Sequence, residues 1–223
     1  MFNLNLVELP KLKRIDGATR LYETPTGEKY PSVTTVLGAT SDKTGLYEWK
    51  KRVGEEEAAR VSRRATTRGT ALHSLWEKLV LNEEFDREAA RQKHLMNFHM
   101  YEQIEKVLLD NVNNIKSSEG SLFSHKLKVA GSVDLIADYK GKPSIIDFKT
   151  SGKEKRKEWI SGYFLQTAMY SYMYWEMMQD MHAQLVVMIA VEDSNEAQVF
   201  TENASKWIDQ ARNLCKQYHL MIS

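Results

Sequence analysis

The chain is short of the residues that build stapled or metal-knotted folds. Its 223 residues include one cysteine, Cys215, which excludes an internal disulfide and any four-cysteine zinc or iron–sulfur site. A lone thiol suits a reducing compartment, and the expectation is the cytoplasm. No run approaches the roughly 18 apolar residues of a membrane span. The opening MFNLNLVELPKLKRID lacks a long apolar centre and a small-residue cleavage site, so it does not read as a secretory signal. It is also poor in arginine and serine for a mitochondrial presequence. Charge of one sign is missing too. With 31 Lys and Arg against 30 Asp and Glu, the net charge is +1, which excludes a globally basic nucleic-acid coat but leaves room for a local basic groove. There is no Gly-x-x-x-x-Gly-Lys loop, hence no built-in helicase motor.

What is present fits one domain over residues 1–223, with 42% apolar residues for a core and an ordinary 27% charged. Three of the four prolines fall in residues 1–45, where RLYETPTGEKYPSVTTVLG alternates β-formers with turns as a short hairpin would. Residues 46–111 read as a helical lobe. Two helices there are separated near Thr66 to Gly69, and a third covers about Asp86 to Asn111. From residue 119 the character switches to three antiparallel strands, then a helix at GYFLQTAMYSYMYWEMMQ, a buried strand AQLVVMIAV and a closing helix. The expectation is an α/β fold with a small mixed sheet flanked by helices.

Within the strands, GSVDLIADYKGKPSIIDFKTS concentrates chemistry. Period-2 geometry places Ile145, Asp147 and Lys149 on one face of their strand and Ile146 and Phe148 on the other. If the hairpin closes around Lys140 to Lys142, Asp134 comes beside Asp147. Two adjacent carboxylates repel, and each costs several kcal/mol to desolvate. A hard divalent cation removes that penalty, and Mg²⁺ prefers one or two carboxylates while keeping waters for substrate phosphates. The plainer alternative is an ion pair of Lys149 with one aspartate.

The pattern GSVDLIADY followed by IIDFKTS resembles the PD-(D/E)XK nuclease superfamily, with Asp134 as first acid and Asp147-Phe148-Lys149 as the second element. Valine stands where the family name has proline. The upstream RGTALH resembles the helical motif of the RecB-like branch, and YFLQTAMY its final helical motif. YPSVTTVL, LYEWKKRVGEEEA and EGSLFS extend the likeness to the mitochondrial genome maintenance exonuclease type. This resemblance implies a restriction-endonuclease-like core with a helical lobe arching over the active site, in a chain whose size hints at a bacterial or phage source rather than the mitochondrial matrix. It implies His73, Asp134, Asp147 and the Phe148 carbonyl as ligands of Mg²⁺ or Mn²⁺, with Lys149 acting on water. It also implies supporting roles for Gln166 and Tyr170, and for Glu119, expected just before the first strand. Single-stranded DNA ends are the implied substrate, in replication, recombination or repair.

For the DNA strand itself, Lys153, Lys155, Arg156 and Lys157 follow the catalytic strand directly, and Thr150 and Ser151 lead into them. Arg68 and the neighbouring Arg60, Arg63 and Arg64, like Lys50, Lys51 and Arg52, either meet phosphates or merely solvate helix faces. Tyr47, Trp49 and Trp159 are placed to stack unpaired bases. An endonuclease, a double-strand end-trimming enzyme and a non-catalytic DNA-binding subunit stay open.

Overall fold

The two-residue turn Lys140-Gly141 sets the register on which the rest is built. Both residues have positive φ, 51° and 73°, the geometry that matches the right-handed twist of a tight hairpin. In the computed structural model, which describes residues 1–95 and 97–222, this turn joins strands β5 (Val129–Tyr139) and β6 (Lys142–Ser151). They are central members of a five-stranded sheet of order β4-β5-β6-β7-β8, with β4 at Val112–Ser124, β7 at Gln184–Val191 and β8 at Gln198–Asn203. All neighbours are antiparallel except β6 and β7, which run parallel because the connecting helix α6 (Ser161–Met178) carries the chain back across the sheet.

Side chains alternate between two cores, one on each side of that sheet. Ile145, Val187 and Ile189 face α1 (Val33–Thr40), α6 and α7 (Ile208–Met221), among apolar residues such as Val36, Phe164 and Met173. Ile146, Phe148, Val186 and Met188 face α3 (Glu55–Val80) and α5 (Phe98–Asn111), meeting Leu72, Trp76, Ile104 and Leu108. The helical segment thus packs its later half directly on the sheet. Helix α2 (Thr44–Val53) and most of the first half of α3 stay exposed. No helix among the described residues is long and apolar enough to cross a membrane.

Several boundaries differ from the sequence expectation, each for a physical reason. The break expected at Thr66 to Gly69 lies at Gly54, whose φ of 88° and ψ of 155° suit only glycine. A helix-interior glycine costs about 1 kcal/mol, and burial of Leu72, Leu75, Trp76 and Val80 outweighs that at Gly69. The third expected helix is two, α4 (Arg87–Lys93) and α5. The amino-terminal hairpin is real, β2 (Leu21–Glu23) against β3 (Lys29–Pro31), with β1 (Lys13–Ile15) beside it. Its expected continuation VTTVLG instead forms α1, started by Ser32, whose hydroxyl accepts from Thr35 N at 3.0 Å. Strand β8 was unanticipated, being a short, half-exposed edge. Strand β4 begins seven residues before Glu119, so that residue lies inside a strand rather than ahead of one.

Candidate active site

The hairpin opens where its chemistry begins. Pairing of β5 with β6 runs from the turn to Leu135 opposite Ile146 and stops there. Beyond that point the Phe148 N–H donates to Asp134 Oδ2 at 2.6 Å, a side chain taking the place of a ladder acceptor. This anchors Asp134 and leaves its other oxygen facing α3, where His73 Nδ1 lies 3.5 Å from Asp134 Oδ1. Glu119 joins from β4, with Oε1 3.7 Å from the same imidazole nitrogen. Its φ of 50° is a left-handed kink inside a strand, the kind of irregularity that re-aims a side chain. Ser132 Oγ donates to Glu119 Oε2 at 3.2 Å and fixes that aim. One atom each from His73, Glu119 and Asp134 falls within 4.8 Å of the others.

Behind this group the wall is aromatic. The His73 ring lies 5.5 Å from Trp76 and 6.0 Å from Phe148. In front is a cleft of about 480 Å³ lined by Gly69, Thr70, His73, Ser74, Glu77 and Glu119.

Asp147 is 1% exposed, and its Oδ1 has no hydrogen-bond partner. Its Oδ2 is in an ion pair with Lys149 Nζ at 2.5 Å. Burial pushes its pKa up to about 6, with Lys149 pulling down and Asp134 pushing further up. For Asp134 burial acts the same way, but His73, Lys149 and the Phe148 N–H outweigh it and hold the carboxyl below its usual range. Burial also disfavours the charge on His73, yet the carboxylates of Asp134 and Glu119 prevail and raise it to about 10. Lys149 is raised by Asp147 and Asp134 against its own burial and stays cationic.

Helix α6 closes the remaining side. Tyr170 is buried, its hydroxyl pushed well above the usual phenol value by burial and by the two aspartates, while a hydrogen bond with Gln166 lowers it. Gly131 permits this approach, since a Cβ there would lie 3.0 Å from Tyr170 Cε1. Tyr163, two turns before Tyr170, sits with its ring centroid 5.3 Å from Lys149 Nζ. It went unnoticed in the sequence, although it shares the Gln166 and Tyr170 face of the helix.

The donor set is oxygen and imidazole nitrogen. Together with the neighbouring buried carboxylate of Asp147, whose Oδ1 is unpartnered, it fits a hard divalent cation. Residues 43–220 match the family model described as the PD-(D/E)XK nuclease superfamily. The chain belongs to this superfamily. PD-(D/E)XK nucleases are hydrolases that use divalent metal ions. The chain is 30% identical over 132 residues to the mitochondrial genome maintenance exonuclease 1 of Homo sapiens, covering 56% of this chain and 38% of that protein. The Xenopus tropicalis protein of the same name is 29% identical over 150 residues, 63% of this chain and 42% of its own length. The match therefore spans about two fifths of these relatives. A crystal structure of a candidate exonuclease from Eubacterium rectale is similar with a TM-score of 0.49 and 12% identity, over 71% of this chain and 65% of that one.

The residues expected to meet a strand of DNA are scattered around this PD-(D/E)XK centre. Arg68 is buried and paired with Glu192 Oε2 at 2.5 Å. It lines a second cleft, of about 300 Å³, with Thr150, Ser151, Lys155 and Tyr163. Ser151 Oγ donates to Lys153 O at 2.6 Å, holding the start of the basic loop. Arg156 lies over Trp159, itself 63% exposed, and Lys157 pairs with Glu202. Tyr47 is 71% exposed on α2, where Trp49 is half-buried. Glu77 lines the first cleft with His73.

Proposed function

We propose that this protein hydrolyses DNA phosphodiester bonds with a bound Mg²⁺ or Mn²⁺, working from free ends and preferring single strands. The observation that carries the reading is Asp147. It is a carboxylate taken fully out of water, with Oδ2 on Lys149 and Oδ1 unbonded, beside a second acid and an imidazole. Two buried carboxylates sharing one ammonium group are costly unless a further cation completes them. His73, Asp134, Asp147 and the Phe148 carbonyl would hold that ion, with Glu119 close enough to join them. When bound it would polarise a phosphoryl oxygen and lower the pKa of a coordinated water.

The protein groups divide the rest of the work. Lys149, kept cationic by two carboxylates, orients the attacking water and stabilises negative charge developing on the phosphate. Tyr163 packs against that ammonium group and restricts where it can point. Gln166 and Tyr170 buttress the aspartates from α6. Thr150, Ser151, Lys153, Lys155, Arg156, Lys157 and Arg68 supply phosphate contacts. Tyr47 and Trp49, on the exposed helix α2, offer rings for unpaired bases, and α2 with the free half of α3 would form the arch over the strand.

The test is digestion of a single-stranded oligonucleotide labelled at one end or the other, with Mn²⁺ or with EDTA. Linear strands are expected to shorten progressively with Mn²⁺ and to survive EDTA, while closed single-stranded circles stay intact. Circles cut as fast as linear strands would make the enzyme an endonuclease. Binding without any cleavage would make it a DNA-binding subunit.

A further inference from the structure

Glu192 follows directly after β7, and no local pattern singles it out. The structure places its carboxylate between two arginines of α3. Oε1 pairs with Arg64 Nη2, and Oε2 lies 2.5 Å from Arg68 Nη1. The position is built rather than incidental. Glu192 N donates to Ser151 O at 2.9 Å, and its carbonyl oxygen lies 3.1 Å from His99 Nε2. The preceding Val191 is held on both backbone groups by Gln103, at 2.8 Å each. Residues from α3, α5 and β6 thus fix one carboxylate at the mouth of the basic cleft.

A simple stabilising role fits this arrangement poorly. The Arg68 side chain is 6% exposed and its Nε has no hydrogen-bond partner. An arginine cannot shed its proton to escape the desolvation cost, and a buried ion pair is often no more stable than an apolar replacement. The cleft also holds Arg60, Lys155 and Tyr163, and Tyr163 touches the ammonium group of Lys149. Arg60 is held by Glu57 at 2.7 Å, so Arg64, Arg68 and Lys155 gather around Glu192 within one side chain of the hydrolytic centre.

We propose that this cleft takes a single backbone phosphate of the strand flanking the scissile bond, and that Glu192 is a positioning residue. Its carboxylate holds Arg64 and Arg68 in a phosphate-ready arrangement and partly neutralises them, so that the strand is gripped without being trapped. The inference rests on the DNA-hydrolysing reading, which already counts Arg68 and Lys155 among its phosphate contacts, and adds Glu192 and the single phosphate it positions them for.

Single-strand binding is measured in EDTA over a series of salt concentrations, with full-length protein whose melting temperature is checked for each variant. Each phosphate-neutralising charge contributes about 0.7 to the slope of log affinity against log salt on single strands. Glu192→Gln is expected to steepen the slope by roughly that amount and to tighten binding about two- to fivefold, the range of one partly exposed ion pair. Arg64→Gln, at a half-exposed site, is expected to flatten the slope by the same step, and the double variant to return it toward wild type. In Mn²⁺, Glu192→Gln should lower KM without raising kcat, and Glu192→Asp should restore the wild-type slope. Slopes unchanged in both single variants, or weaker binding by Glu192→Gln at an unaltered melting temperature, would overturn the inference. A wild-type protein that binds no DNA at all would instead overturn the functional reading beneath it.

Discussion

At the scale of single residues, the site crowds Asp134, Asp147 and Glu119 against Lys149 and His73. Among the described residues Asp147 pairs with Lys149, and that same ammonium also serves Asp134. Added Mn²⁺ should therefore raise the melting temperature of the protein, because a ligand that binds only the folded state stabilises it by about 2.7 kcal/mol at 100 times its Kd. Thermal scans with and without the ion would check this, and Asp134→Ala or His73→Ala should abolish the increase. Lys149→Met should keep the metal-induced rise yet lose cleavage by about 10²- to 10³-fold, the usual consequence of removing one charge-stabilising donor. The two acids and the lysine were legible in the sequence because strand alternation and a two-residue turn fix their relations locally. Glu192 was not. Its partners Arg64 and Arg68 lie 128 and 124 residues away, a separation at which no periodicity carries information.

At the scale of elements, the site depends on how closely strands and helices approach one another. Gly131 on β5 lets Tyr170 of α6 come within van der Waals range of the strand backbone. Gly131→Ala would place a methyl group 3.0–3.1 Å from the tyrosine ring and hydroxyl. That ring is buried among core residues and has nowhere to go. The expected cost is about 1–3 kcal/mol, as for other overpacked cores, read as a lower urea midpoint, together with reduced cleavage as Tyr170 shifts. Strands β5, β6 and β7 and helix α6 were readable from hydrophobic period and turn residues. Helix α1 was missed because its β-branched run VTTV imitates a strand, and tertiary packing of Val33 and Val36 into the core decided otherwise. The continuity of α3 through Gly69 was hidden for the same reason, since burial further along the helix overrides a local propensity.

At the scale of the whole molecule, one sheet carries two cores and brings β4, β5, β6, α3 and α6 to a common edge of the hairpin. The far strand β8 is tied to this edge through charge. Glu202 hydrogen-bonds with Lys157 of the basic loop and with Lys206, at 2.8 Å for the latter, and the two lysines hold its carboxyl down at about 2. Its folded pKa lies below the unfolded value of about 4.3, so the stability it adds is complete above that pH and is lost as pH falls toward 2. Urea midpoints measured through that window should fall less steeply for Glu202→Gln than for wild type. The balance of +1 across the chain hid this arrangement, because opposite charges far apart in sequence cancel in a sum while clustering in space.

The central claim is that Asp134 and Asp147 hold a divalent ion against which a DNA phosphate is hydrolysed. Its most direct test is single-turnover cleavage of an end-labelled single strand in Mn²⁺ by wild type and by Asp147→Ala of matched DNA affinity. A fall of about 10³-fold or more is predicted, since the ion and its activated water would lose a buried ligand. Cleavage by Asp147→Ala at the wild-type rate would contradict the account.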